Sequence, residues 1–239
     1  YNRDVEIFPV LNTIFEKIYG ESPYKSPTDM GVNMAGNCIC DDEACREASK
    51  QEIIRRYFDA LNALAKGSTS EKEAQKIELL MNMAGITVTD RKVVIKALER
   101  AKETDGPAAA LELRDGRIIT GKTTNLLGAS AALLLNVLKV LAGIDHETHI
   151  ISPESIEPIQ KLKVDYLKSK NPRLHTDEVL IALSASAATN PQARLALSQL
   201  PELAGCQAHT SVMLSDVDIK IFKKLEVQLT SEAVYEHAL

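Results

Sequence analysis

The chain has 239 residues, of which 45 % are hydrophobic, 26 % are charged and only 4 % are aromatic. This length can bury a core without disulfides or metals, and it suggests one large or two modest domains. The 28 basic and 33 acidic side chains give a net charge of −5. That balance argues against a general nucleic-acid binder and against a polybasic membrane binder.

The first 105 residues predict a helical domain. Pro9 suits a first helical turn, and Ser70 with Glu73 matches an S-x-x-E capping box before another helix. Four helices connected by short links indicate a small helical bundle over residues 1–105. The first two are predicted at about Val10–Tyr19 and Asp42–Lys66, the third runs from the Ser70 cap to Gly85, and the fourth runs from a cap at Thr89 or Asp90 to about Glu103.

The loop Thr28–Asn37 is rich in glycine, asparagine and methionine, and it is long for a passive connection. One interpretation is a binding loop, with Asn33, Asn37 and Cys38 as candidate ligand contacts. The alternative is an ordered surface loop without a ligand. Cys38, Cys40 and Cys45 follow the spacing C-x-C-x4-C, which is not common for zinc, and no His lies nearby, so we expect no metal site.

The two ends of the sequence give an expectation about compartment. The chain begins at Tyr1 with a helix-like pattern and shows no signal peptide, which favours the interior of a longer cytoplasmic protein. Its longest apolar stretch, Leu126–Leu135, is too short to span a membrane.

After Asp105 the pattern changes to strands that alternate with helices, so residues 106–239 predict an α/β domain. The predicted strands are Ala108–Leu113, Arg117–Gly121, His149–Ile151, Ala208–Leu214 and Val227–Thr230. The predicted helices cover about 126–142, 152–168, 176–188, 192–200 and 217–225. The helix 126–142 is apolar nearly all round, which is compatible with either a core or an interface, so a homo-oligomer stays open.

Residues 116–123 match G-x-x-x-x-G-K-[ST], the phosphate-loop pattern. However, the middle of this match is β-branched at Ile118, Ile119 and Thr120, which favours an extended strand. The preceding Asp115-Gly116 pair is typical of a hairpin turn. A hairpin strand is therefore the preferred interpretation over a phosphate loop.

A polar segment follows this strand and precedes a helix N-terminus. It consists of Lys122, Thr123, Thr124 and Asn125. Exposed amide groups and the positive end of the helix dipole would hold an anion there, such as the phosphate of a small molecule. The alternative is an ordinary helix cap.

His175 lies between Arg173 and Asp177. A histidine oriented by a carboxylate is suited to general base catalysis, with Asp177 as the orienting group. The alternative is that Thr176 and Asp177 simply start a helix.

Segment 115–143 is similar in layout to cytidine deaminases, because a hairpin is followed by a polar loop and a long Ala-rich helix. Deaminases need three Cys or His zinc ligands and a proton-shuttling Glu. Here residues 130–132 are Ser-Ala-Ala where a ligand followed by Ala-Glu would stand, and Gln192 stands where a Cys would be. The resemblance implies a three-layer α/β/α domain with cytidine-deaminase-like topology that lacks zinc ligands.

Three long stretches carry a family resemblance: residues 1–38, 115–136 (DGRIITGKTTNLLGASAALLLN) and 151–191. They resemble the bacterial domain-of-unknown-function 1846 family, also called uncharacterised protein family 0371, over nearly the whole chain. Members of that family are longer and carry an N-terminal α/β region with a glycine-rich segment suggestive of nucleotide binding. The resemblance implies that this chain is the C-terminal portion of such a protein, and it supplies no reaction and no cofactor.

Two hypotheses of function follow. The first is a non-catalytic ligand-binding or assembly part of a larger cytoplasmic protein, with sites at Asp29–Cys38 and Lys122–Asn125. The second is part of a composite enzyme acting on a nucleotide or phosphorylated metabolite, in which the protein's own N-terminal region brings the nucleotide. The second predicts that Asn37, Lys122 and His175 converge in one cleft.

Overall fold

The computed structural model of the protein describes residues 2–27, 29–30 and 41–236. The chain divides into two units, residues 1–91 and residues 92–239. It is a mixed α/β protein, with helices alone in the described part of the first unit and a four-stranded sheet in the described part of the second. Within those residues, no helix combines the length and the apolar character that crossing a bilayer requires.

The described part of the first unit contains helices α1 Asn2–Tyr19, α2 Asp42–Ala65 and α3 Glu71–Ala84, with a 3₁₀ turn at Val88–Asp90. The Asp41 carboxylate starts α2 by accepting the amide hydrogen of Ala44 at 2.9 Å. Gly85 ends α3 in the left-handed conformation, with φ of +65°. Helix α2 contributes the buried side chains of Ile54 and Phe58 to the core.

Two details of the first unit differ from prediction. Helix α1 starts at Asn2, so Pro9 lies in its interior and not in its first turn. A proline inside a helix removes one backbone hydrogen bond, which the remaining turns of this 18-residue helix tolerate. Ser70 occupies the N-cap of α3 in an extended conformation, but its side chain makes no capping hydrogen bond.

The described part of the second unit places four strands among six helices. The helix Pro153–Lys161 continues into one π-helical turn, Leu162–Tyr166. The elements in chain order are α4 Lys92–Thr104, β1 Ala108–Glu112, β2 Ile118–Lys122, α5 Ala129–Leu141, α6 Pro153–Lys161, α7 Thr176–Ser186, α8 Pro191–Leu197, β3 Gln207–Thr210, α9 Asp216–Lys224 and β4 Gln228–Ser231.

The sheet has the strand order β2-β1-β3-β4. Strand β1 runs antiparallel to both of its neighbours, and β4 runs parallel to β3. In register, Ala110 of β1 lies opposite Thr120 of β2 and His209 of β3. Strand β2 therefore forms one edge of the described sheet.

Helices cover both faces of this sheet. Successive side chains of β1 point to opposite faces, so they contact different helices. Ala109 and Leu111 pack into the larger core with α5, whereas Ala110 packs with Val93 and Ala97 of α4. Helix α5 is buried from Ala129 through Leu135, which agrees with its apolar sequence.

Helix α4 belongs with the sheet. It was expected in a helical domain of residues 1–105, whereas it packs against β1, β2 and β3, and the two units divide between Arg91 and Lys92. The predicted strand His149–Ile151 is wrong. These residues form an irregular loop in which Ile150 and Ile151 are buried, so the apolar pair reflects core packing and not strand pairing.

The phosphate-loop pattern is a hairpin, as its β-branched residues predicted. Residues 118–122 form strand β2, and Gly116 lies in the preceding turn with φ of +85°. Gly121 permits close packing of α5, because a Cβ atom there would lie 2.2 Å from the backbone nitrogen of Leu133. Gly116 therefore permits the turn, and Gly121 permits the close contact between β2 and α5.

Candidate functional site

A groove lies at the edge of the sheet, between α4 and α5. We call it the β2 groove. Its volume is about 570 Å³, and all five residues of β2, Ile118–Lys122, line it. Arg100 of α4 borders it on one side, Asn136 and Lys139 of α5 border it on the other, and the loop after α5 closes one end. This volume lies in the range of small-ligand sites.

Much of the remaining lining is aliphatic. Leu135 and Val140 come from α5, and Ile144 and Ile150 come from the following loop. Apolar walls with a few fixed polar groups are typical of ligand sites, because the walls supply affinity and the polar groups supply orientation.

The charges in the β2 groove are of one sign. Its lining, among the described residues, contains Arg100, Lys122 and Lys139 and no Asp or Glu. Lys122 makes no hydrogen bond or ion pair with any described residue. The lining itself therefore favours anions, although Glu103 pairs with Arg100 from outside it, and Asp145 and Glu147 lie near Lys139.

The two other cations are incompletely satisfied. Arg100 pairs with Glu103 through Nη1 at 3.1 Å, but its buried Nε has no hydrogen-bond partner in the described structure. Burial lowers the pKa of Lys139, whose Nζ donates to the backbone oxygen of His146 at 2.7 Å. A bound anion would compensate for the lost hydration of both groups.

The segment Lys122–Asn125 contributes to this groove through side chains. Lys122 and Thr124 line it. The amide of Thr123 donates to Pro107 O at 2.9 Å, and the Thr124 hydroxyl accepts the Leu127 amide at 3.0 Å. These contacts form a turn that precedes α5, whose N-cap is Gly128, so the amides of Thr123 and Leu127 are already used within the protein.

The same segment is tied to the loop that precedes α7. Arg173 donates from Nε to Thr124 O at 3.0 Å, and Gln160 donates to Asn125 O at 3.2 Å. Arg173 also forms an ion pair with Glu236 at 2.7 Å. The predicted residues Thr124 and Asn125 therefore act as backbone acceptors in a structural junction.

His175 forms a pair with Asp218 and not, as predicted, with Asp177. Its Nδ1 lies 3.0 Å from Asp218 Oδ2. Asp218 also accepts the Thr176 amide at 2.9 Å, the Thr176 hydroxyl at 2.8 Å and the Ser215 hydroxyl at 2.7 Å. Asp177 is the second residue of α7, and its side chain makes no hydrogen bond with His175.

The donors around Asp218 fix its charge. Burial opposes ionisation of this carboxyl, but the hydrogen bonds from His175, Thr176 and Ser215 outweigh it and lower the pKa to about 2. The hydrogen bond to Asp218 raises the pKa of His175, whose side chain is 34 % exposed. A carboxylate at Nδ1 places the proton on that nitrogen and leaves Nε2 as the basic atom of the neutral ring.

The pair predicts a pH dependence of stability. Because the folded state raises the pKa of His175, its stabilising contribution is complete below the unfolded pKa of about 6.5 and is lost as the pH rises through the folded value. We expect the urea midpoint of the wild type to fall above pH 6.5 more steeply than that of His175→Asn. Exposed His146, changed to Asn, is the control and should keep the wild-type profile. Parallel profiles for the wild type and His175→Asn would contradict this role.

The other candidate residues fall into two groups. Asn33, Asn37 and Cys38 lie outside the described residues. His175 is not among the residues that line the β2 groove, so this cavity brings together Lys122 and Thr124 without His175. Sequence reasoning missed Arg100 and Lys139, although a lysine in the otherwise apolar helix α5 was a detectable signal.

The first unit contains a cavity of about 890 Å³ between α1, α2 and α3. Its lining carries charges of both signs, with Arg46 and Lys50 alongside Glu16 and Asp90. Mixed charge does not select a ligand class, so we place the candidate site in the β2 groove. In the described part of the chain, no group of three or more His, Cys, Asp or Glu side chains is arranged to hold a metal ion.

The structure thus defines a mixed α/β protein with a cationic, partly aliphatic groove at the edge of its sheet. Residues 1–85 match the family model "Domain of unknown function DUF1846, N-terminal", and residues 89–239 match "Domain of unknown function DUF1846, C-terminal". The chain belongs to the DUF1846 family. The expectation that it is only the C-terminal portion is corrected, because the match to the N-terminal model covers the first unit.

Relatives in two bacterial genera show the same kinship. A UPF0371 protein of Corynebacterium aurimucosum is 59 % identical over 235 residues, which are 98 % of this chain and 47 % of the relative. Those of Corynebacterium glutamicum (strain R) and Streptococcus thermophilus (strain LMD-9) are 56 % and 52 % identical, and each match covers 99 % of this chain and 48 % of the relative. The chain spans about half the length of the curated relatives it matches, and their names assign no activity.

Proposed function

We propose that this chain is the ligand-binding portion of a longer cytoplasmic bacterial protein. Its ligand is an anion with an apolar body that occupies the β2 groove. The observation that carries this proposal is the set of Arg100, Lys122 and Lys139 around an aliphatic lining that holds no carboxylate. A carboxylate or a phosphate supplies the acceptors that these cations lack.

The finer fold is part of the proposal. We infer a helical bundle for the first unit, supported by the packing of α3 on α2 and on α1. We infer a three-layer, deaminase-like layout for the second unit. Its support is the hairpin β1–β2, the helix α5 that follows and packs on it, and the helices on both faces of a mixed sheet. This likeness concerns the fold, and the zinc chemistry is not carried over with it.

A composite enzyme is the second candidate, and the His175–Asp218 pair favours it. A histidine held by a buried carboxylate, with its ring one-third exposed, has the arrangement of a general base. In this case the region that completes the longer relatives would bind next to this unit and bring a nucleotide or phosphorylated substrate. His175→Asn would then abolish turnover by the full-length protein without weakening anion binding in the β2 groove.

A ligand screen tests the ligand-binding function. We expect thermal-shift and calorimetric titrations with nucleotides, phosphosugars and aliphatic carboxylates to identify an anion that stabilises the protein. Lys122→Glu should weaken its binding at least tenfold, or about 1.4 kcal/mol, because the change reverses a charge in the groove. Lys220→Glu, an exposed position on α9, is the control and should bind as the wild type does. A ligand bound equally by the wild type and Lys122→Glu, or no anion bound at all, would contradict the proposal.

A further inference from the structure

We propose that the ligand of the β2 groove is an acidic peptide in extended conformation that adds to the sheet as a strand beside β2. This inference rests on the proposed function, since it assigns a chemical class to the anion that the groove takes. It rests also on three properties of β2: the direction of its main-chain groups, the distribution of charge on either side of it, and its length.

The main-chain groups of β2 alternate between β1 and the groove. The amide of Thr123 bonds Pro107 O at 2.9 Å, and the amide of Leu113 bonds Arg117 O at 2.9 Å. In an antiparallel ladder such bonded pairs alternate with non-bonded ones. The amides and carbonyls of Ile118, Thr120 and Lys122 therefore point away from β1.

One of these outward groups is used within the protein. Asn136 donates from Nδ2 to Thr120 O at 2.9 Å, which confirms the direction of that carbonyl. For the other outward groups of these three residues, the described structure shows no partner. Unpaired edge groups are the template on which an extended peptide adds a strand.

The two faces of the groove differ in chemistry. Ile118 packs with α4. Lys122 lies four residues further along the strand, so its side chain points to the same face of the sheet, where Arg100 of α4 also lines the groove. The α5 face supplies the aliphatic Leu135 and Val140 together with one cation, Lys139. In a strand whose acidic side chains alternate with aliphatic ones, the acidic set would face Arg100 and Lys122 and the aliphatic set would face Leu135 and Val140, with Lys139 adding positive charge on that side.

A second copy of this chain is a poorer occupant of the same edge. Pairing β2 with its own copy would bring two sets of Arg100, Lys122 and Lys139 together, and like charges repel. A five-residue strand spans about 17 Å, so a peptide of five or six residues suffices to follow β2.

Calorimetry with two blocked hexapeptides tests the inference. One alternates glutamate and valine, and the other alternates lysine and valine. We expect the acidic peptide to bind at least tenfold more tightly. Arg100→Glu should weaken its binding at least tenfold, whereas Lys220→Glu, outside the groove, should leave it unchanged.

N-methyl variants of the acidic peptide test strand addition itself. Methylation of amides at alternate positions that face β2 should reduce affinity at least tenfold, whereas methylation of the intervening amides should change it less than threefold. Hydrogen exchange at the Thr120 and Lys122 amides should slow at least tenfold on binding. Both readouts depend on main-chain hydrogen bonds, so they do not require a variant protein to fold.

The outcomes separate the inference from the function on which it rests. If a small anion binds through Lys122 but the acidic peptide does not, the peptide inference fails and the ligand-binding function stands. Equal effects of both methylation sets, or unchanged exchange at Thr120, would also overturn strand addition. If neither peptide nor small anion binds, both proposals fail. Sedimentation that shows a dimer disrupted by Thr120→Pro would assign the edge to a second copy and overturn the inference.

Discussion

Gly121→Ala is expected to lower the free energy of unfolding by about 3 kcal/mol or more, because it forces extra volume into a packed core. The added Cβ atom would lie 2.2 Å from Leu133 N, 2.5 Å from Leu133 Cα and 2.9 Å from Ala129 O. All three atoms belong to the backbone of α5, so no side-chain rotation relieves the overlap. The helix would have to move away from β2, which would open the larger core of the second unit.

The measurement is urea denaturation followed by far-ultraviolet circular dichroism. Gly106→Ala is the matched control, since a Cβ at Gly106 meets only Thr104 O at the ordinary distance of 3.8 Å. Its effect should stay within about 0.5 kcal/mol. If Gly121→Ala were as stable as Gly106→Ala, α5 would not approach β2 as closely as the structure shows.

The hairpin was predictable because its signals are local. A β-branched run after an Asp-Gly pair indicates a strand that follows a tight turn, and the apolar helix after it must be buried. The same residues form β2 and α5 in the structure. The reason for Gly121 was not predictable, because Leu133 meets it only after the chain has folded back.

Helix α4 and the segment His149–Ile151 show where local pattern fails. Helix α4 has the periodicity of an amphipathic helix. This pattern predicts a buried face, but it does not distinguish packing against other helices from the packing against the sheet that the structure shows. Residues 149–151 are too few for periodicity to separate a strand from a buried loop. Long-range packing determines which elements α4 contacts and whether residues 149–151 form a strand.

The candidate site combines residues that are distant in the sequence. Lys122 was found because it follows a recognisable pattern, whereas Arg100 and Lys139 join it only through the packing of α4 and α5 on β2. For His175, sequence proximity suggested Asp177 as partner. The observed partner, Asp218, lies on another helix and becomes adjacent only in the folded unit.

Asp218→Asn is expected to cost about 3 kcal/mol of unfolding free energy, because it removes a buried charge that accepts several hydrogen bonds. Its side chain is 4 % exposed, and the amide and hydroxyl of Thr176 both donate to Oδ1. An asparagine keeps the shape, but its NH₂ group must meet either these donors or those of Ser215 and His175. One set of buried donors then lacks an acceptor.

The same variant also tests the origin of the pH dependence. Since the hydrogen bond that His175 donates to Asp218 is what raises the pKa of His175, Asp218→Asn should remove the loss of stability that we expect above pH 6.5. Asp216→Asn, exposed on the first turn of the same helix, is the control: it should cost less than about 1 kcal/mol and keep the wild-type pH profile. Chemical denaturation from pH 5 to pH 9 measures both effects. A full-sized loss of stability in Asp218→Asn together with an unchanged pH profile would mean that the carboxylate caps α7 without controlling the proton on His175.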